Sequence, residues 1–336
     1  MEKVSKDISV VISVGSPKST LKLVRTTFES ILKNLGTEGY QMIIYIGKDI
    51  DYEIKDYINV LKSNGYDRIV LLQNEEMTWA QVVNKAIDLS SEYKYFLISH
   101  DDVELITENF FPKVEEAMSK ITESVGWVSF TDEDYLSGNF APSTREGFHK
   151  DILEENAWPK RKLFQFHNLP DNWWDPSWIS RKFGNRFEFL KNKLPREYFE
   201  SLNYDIPKAP VKCHSPFSHF ILIEMEKLKQ IGNCEEWNDF SLLVDEDWGL
   251  EALRNNFQNI WIPHIKYLHN RTSGGTRAWG QIVEDKSESA RKFKEKWGFN
   301  IGNNSKEELD FIKEKYKNNL IPWSIGKNSY DWDYIQ

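Results

Sequence analysis

Cysteine is scarce in this sequence: Cys213 and Cys234 are the only two in 336 residues. A disulfide-stapled scaffold needs a denser framework than one possible bridge, and two thiols do not make a structural zinc site. Long apolar runs are missing too. None reaches the 18 or more residues of a membrane span, and the run Ile8–Val14 lacks the basic start and small-residue cleavage site of a signal peptide. Nor is there a surplus of basic residues. A net charge of −9 argues against a general nucleic-acid binder, which needs cationic side chains to neutralise phosphates. Internal repeats are absent. Together these absences predict a cytoplasmic protein with no nucleic-acid partner and no transmembrane segment, and they leave peripheral membrane association open.

What the chain does have is a soluble globular composition and an unusual aromatic load. Thirteen tryptophans and fourteen tyrosines exceed what a core of this size requires, and Trp158, Trp173, Trp174 and Trp178 fall within one polar, proline-containing stretch. Stacking on sugar C–H faces would account for that cluster. So would a small satellite core beneath a long loop.

Strand and helix alternate in the first third. The β-branched run Ile8–Val14 reads as a buried strand that stops at Gly15, Ser16 and Pro17. Leu21, Val24, Phe28, Ile31, Leu32 and Leu35 then keep helical spacing up to Gly36 and Gly39. Strands are predicted over 41–46, 68–73 and 126–130, with helices over 52–61 and about 108–121. Trp79, Val82, Val83, Ala86 and Ile87 form a helical stripe that leaves Gln81, Asn84, Lys85 and Asp88 off the buried face. This pattern predicts an α/β fold with a doubly wound, mostly parallel sheet flanked by helices. From about 132 to 210 the periodicity breaks down. It returns with a strand over 217–224, short helices over 227–231 and from the acidic cluster at 245–247 to about 256, a strand over 259–262, and C-terminal helices over 281–297 and 306–317. The predicted organisation is a first α/β half at 1–131, an aromatic-rich insertion at 132–212, a second half of the same domain at 213–280, and a helical extension at 281–336.

Three polar constellations stand out. The apolar run Tyr95, Phe96, Leu97, Ile98 drives into Asp101 and Asp102. Adjacent carboxylates at the carboxyl end of a strand repel each other unless a cation neutralises them, and a divalent metal is the simplest such cation. Capping of a following helix explains the pair equally well. Asp245, Glu246 and Asp247 open a helix, where acidic residues are favoured electrostatically. His269 precedes a loop, Asn270 to Arg277, that carries Gly274, Gly275, Arg271 and Arg277; taken alone, the histidine reads as a satisfied core residue and the loop as a turn.

The order of these pieces resembles that of the nucleotide-sugar glycosyltransferases of the GT-A fold, glycosyltransferase family 2 in particular. The matching stretches are VVISVGSP, WAQVVNKAI, YFLISHDDVEL, DEDWGLEALR and YLHNRTSGG, spread over about 270 residues. The resemblance implies an enzyme that moves a sugar from a nucleotide-diphosphate donor to a glycan or glycoconjugate acceptor with inversion, aided by Mn2+ or Mg2+. It implies Asp102 and His269 as metal ligands and Asp247, with Glu246 beside it, as the base. Val14, Asp49, Asn84, Asp101, Arg271 and Arg277 fall on the donor side; the insertion has no counterpart in the family, and it is the clustering of its aromatics that makes Trp173, Trp174 and Trp178 candidate acceptor contacts. Two departures from the family pattern stand out. His100 occupies a place where the family's acidic motif often begins with a carboxylate, and Gly47-Lys48-Asp49 replaces an aspartate motif after the second strand. The other readings are a sugar-phosphate nucleotidyltransferase, for which VGSPKST is a poor phosphate loop, and a non-catalytic carbohydrate-binding protein.

Overall fold

Strand β1 (Ile8–Val14) lies in the middle of a parallel four-stranded unit, paired on one side with β2 (Tyr40–Ile46) and on the other with β4 (Tyr95–His100), while β3 (Ile69–Leu72) extends β2 outward. The structure, a computed structural model, describes residues 6–15, 19–63, 66, 68–73, 76–121, 124–132, 210–212, 219–237, 244–270, 279–299, 323–325 and 328–330. Trp158, Trp173, Trp174, Trp178, Arg271, Arg277 and the helix expected over 306–317 lie outside the described residues.

Because side chains alternate along a strand, β1 feeds two cores. Val10, Ile12 and Val14 pack with α1 (Leu21–Asn34), α2 (Tyr52–Ser63) and α4 (Phe110–Ser119). Val11 faces the other way, toward α3 (Trp79–Leu89), α5 (Met225–Ile231) and α6 (Val244–Arg254). Helices therefore cover both faces of one sheet, as the alternating pattern predicts. Helix α3 starts on a capping box: Thr78 Oγ1 accepts the Gln81 N–H and Gln81 Oε1 accepts the Thr78 N–H.

The sheet continues past β4 through β8 (Phe220–Glu224), β6 (Val125–Asp132), β9 (Gln258–His269) and β5 (Val103–Leu105), with β7 (Val211–Lys212) on the side of β9. Since β8 is antiparallel to both β4 and β6, β6 and β9 run the same way as β1 and β4. The direction is thus mostly parallel, and the two halves expected at 1–131 and 213–280 share this sheet. Helix α7 (Trp279–Trp297) and a small hairpin of β10 (Trp323–Ile325) and β11 (Asn328–Tyr330) follow. No helix among the described residues is long and apolar enough to cross a membrane.

The structure extends two sequence-level expectations. The strand expected to end at Ile262 runs on to His269, because the β6–β9 register shifts between Phe130 and Thr131 and Pro263 falls inside that irregularity. A bulge is where a strand tolerates a residue without an N–H to donate. The acidic pair leads into the short strand β5, whose ladder sets Val103 opposite His269.

Helix α6 sits close on the sheet because Gly126 has no side chain. A Cβ there would come within 2.8 Å of Asn259 Oδ1 and 2.9 Å of Ala252 Cβ. The fully buried Asn259 then ties the layers together, accepting from the Trp127 N–H at 3.0 Å and donating to Gly249 O at 2.8 Å.

Candidate metal centre and active site

The turn between β4 and β5 places His100, Asp101 and Asp102 at the carboxyl edge of the parallel unit, where ligands bind in open α/β sheets. Backbone bonds fix this turn from two sides. Thr27 of α1 donates its hydroxyl to Asp101 O at 2.9 Å, and the Asn270 N–H donates to Asp102 O at 2.7 Å. The β5–β9 ladder sets His269 beside Asp102, with Nε2 3.1 Å from Asp102 Oδ1.

His100, Asp102 and His269 each present one ligand atom, and the three atoms lie within 4.8 Å of one another. The 3.1 Å separation is that of an ion pair or hydrogen bond, and it also lets both atoms face one cation. Two imidazoles and one carboxylate are a donor set that fits a divalent cation. His100 therefore fills the place where a carboxylate was expected, and does so as a candidate ligand.

Asp101 turns the other way. Its carboxylate accepts from the Ser19 hydroxyl just before α1. Burial pushes this carboxyl up to about 6; the Ser19 hydrogen bond opposes the rise and the neighbouring Asp102 charge adds to it. Val14 closes β1 nearby in the chain's register and accepts the Gly47 N–H at 2.9 Å, while Asp49 is exposed in the turn after β2.

An aromatic path leads from this cluster to α6. Trp79 meets the His100 ring edge-on at 6.5 Å and Trp248 at 6.4 Å, and Trp248 packs on Trp127 at 4.8 Å. One residue before Trp248, Asp247 is 1% exposed. Its carboxylate is held from α7: Trp297 Nε1 donates to Oδ1 at 2.7 Å and Lys296 Nζ donates to Oδ2 at 3.0 Å. Lys296 also reaches Glu251 at 2.9 Å and Glu235 at 2.8 Å. Burial raises the Asp247 carboxyl to about 6, against the lowering effect of Lys296 and then Trp297. The side chain of Glu246 lies outside the described residues.

Asn84 braces the chain after α5. It donates to Cys234 O and Glu236 Oε1, both at 3.0 Å, and accepts the Cys234 N–H at 2.8 Å. Three residues outside the sequence motifs touch the candidate site: Ser19 bonds Asp101, Lys296 bonds Asp247, and His219 meets His269. The His219 ring stacks on His269 with centroids 4.4 Å apart and planes 11° apart. A histidine heading the apolar run 220–223 was the one signal available for it.

No family model matches the chain, and no curated protein does. Among solved structures, it is similar to a mannosyltransferase from Pyrobaculum calidifontis in complex with GDP-Man and Mn2+, at 11% identity over 86% of this chain and 67% of that one, with a TM-score of 0.47. It is also similar to GalNAc-T7 with UDP, GalNAc and Mn2+, at 12% identity over 94% of this chain and 55% of that one, with a TM-score of 0.46. The ligands named belong to those two proteins.

Proposed function

We propose that this chain is a metal-dependent glycosyltransferase that moves a sugar from a nucleotide-diphosphate donor to a hydroxyl of a glycan or glycoconjugate, with inversion at the anomeric carbon. The observation that carries this reading is the convergence of His100, Asp102 and His269 at the carboxyl edge of the sheet. Three protein ligands leave positions for diphosphate oxygens, and two imidazoles among them favour Mn2+ over Mg2+. A cation bound there would neutralise charge on the leaving diphosphate.

The chain's own groups have separate tasks. Asp101 is assigned to the donor ribose, with Val14 and Asp49 on the donor side, and Arg271 and Arg277, outside the described residues, are assigned to neutralise the diphosphate. Asn84 serves the site indirectly, by bracing residues 234–236. The acceptor oxygen forms its bond to the anomeric carbon as the bond to the phosphate oxygen breaks, and that electron pair leaves with the nucleoside diphosphate. The acceptor's proton goes to the Glu246–Asp247 pair. Asp247 is the assigned acceptor of that proton; the engagement of its carboxylate by Lys296 and Trp297 makes Glu246 the alternative carrier. Trp173, Trp174 and Trp178, also outside the described residues, are assigned to the acceptor, so Trp173→Ala or Trp174→Ala should raise the acceptor KM more than it weakens donor binding.

A thermal-shift panel of nucleoside diphosphates with and without Mn2+ tests the donor class. A ligand at 100 times its Kd adds about 2.7 kcal/mol of stability. Release of nucleoside diphosphate from a nucleotide sugar supports the proposal; release of pyrophosphate from a nucleoside triphosphate would reassign the chain as a nucleotidyltransferase.

A further inference from the structure

We infer that His219 is a positioning residue of the metal centre, holding the His269 imidazole in the one orientation that aims it at Asp102. The inference rests on the metal reading above and adds to it a residue that the motifs do not contain.

His219 stands just before β8, the antiparallel strand inserted between β4 and β6. That placement gives it contact with both candidate histidine ligands. Its carbonyl accepts the His100 N–H at 2.9 Å, and its ring lies flat on His269. The ring is itself anchored. Its Nε2 pairs with the hydroxyl of Tyr267 at 2.6 Å, and Tyr267 is 1% exposed, packed on Phe220 with centroids 5.0 Å apart.

Tyr267 and His269 are two residues apart on β9 and so point to the same face. His219 fills the space between them, with one edge bonded to the tyrosine and one face covering the other imidazole. Backbone pairing of Val103 with His269 fixes where the His269 side chain begins but not how its ring is turned. A flat, anchored neighbour removes that freedom. Groups that orient a metal-ligating histidine commonly matter about 10–100-fold in metal affinity. Here the orienting contact is a stacked face, while the nitrogen of His219 is used by Tyr267.

The test compares His219→Ala with His219→Phe in the full chain, reading Mn2+ affinity by electron paramagnetic resonance and metal-free Tm by calorimetry. His219→Phe keeps a flat ring and removes both nitrogens. The expected result is Mn2+ binding weakened about 10–100-fold in His219→Ala and restored to within about threefold of the parent in His219→Phe, with metal-free Tm values that do not follow this order. Unchanged affinity in His219→Ala overturns the inference. Equal loss in both variants also overturns it, because a nitrogen of His219 would then be needed. Failure of the metal reading is distinguishable: there the parent itself binds no Mn2+, whereas failure of this inference alone leaves a parent that binds and an Asp102→Ala variant that does not.

Discussion

Asp102 and His269 come from segments 167 positions apart and meet at 3.1 Å because the short strand β5 pairs with the last residues of β9. The ladder, not the local sequence around either residue, makes them neighbours. If they are ligands of one ion, losing His269 should hurt more than losing a supporting group. His269→Ala is expected to weaken Mn2+ binding beyond the about 10–100-fold typical of outer-shell losses.

His100 offers a change of metal preference. Replacing one of the two imidazoles by a carboxylate makes the donor set harder. His100→Asp should therefore narrow the preference for Mn2+ over Mg2+ in calorimetric titrations of both ions. An unchanged ratio would remove His100 from the ligand set.

Asp247 should report its environment through pH. Its carboxyl is raised to about 6 from an ordinary value near 3.8, so between those values the native state holds the proton more tightly than the unfolded chain. Stability from this group is therefore present at low pH and is lost as pH rises toward about 6. Urea midpoints measured between pH 4 and 7 should fall less steeply in Asp247→Asn than in the parent.

The same residue can be tested in turnover. Asp247→Asn should lower kcat by about 10²–10⁴-fold with little change in donor affinity if Asp247 takes the acceptor's proton. A larger loss in Glu246→Gln would move that role one residue back. Lys296→Met, which removes the cation that lowers the Asp247 pKa, should shift the acid limb of the rate profile to higher pH.

Gly126 carries a packing prediction. A methyl group at this position meets Asn259 and Ala252 at less than 3 Å, and overpacking typically costs about 1–3 kcal/mol. Gly126→Ala should lower the urea midpoint accordingly and, because Gly249 and Asp247 share α6, reduce turnover as well.

The apolar periodicities of β1, α1 and α3 were legible because each segment buries one regular stripe or run. The acidic turn was legible too, since carboxylates directly after an apolar strand demand an explanation wherever they occur. What could not be read was anything fixed by distant pairing. Pro263 interrupts the strand pattern, so the extension of β9 that delivers His269 depends on a bulge in its register with β6. His219 acquires its role only when β8 is inserted antiparallel beside β4. Asn84 lies off the buried face of α3, as its spacing indicates, yet its amide is used by a segment about 150 positions away. Lys296 looks in sequence like one more charge on a solvated helix, and only the docking of α7 on α6 brings it to Asp247, Glu251 and Glu235.

Metal-dependent donor binding through Asp102 is the claim on which the functional account depends, and calorimetry of a nucleoside diphosphate with and without Mn2+ tests it most directly. The parent should bind the nucleotide much more tightly with Mn2+ present, and Asp102→Ala should lose that gain while keeping the metal-free affinity. Equal nucleotide affinity with and without Mn2+ in the parent would contradict the account.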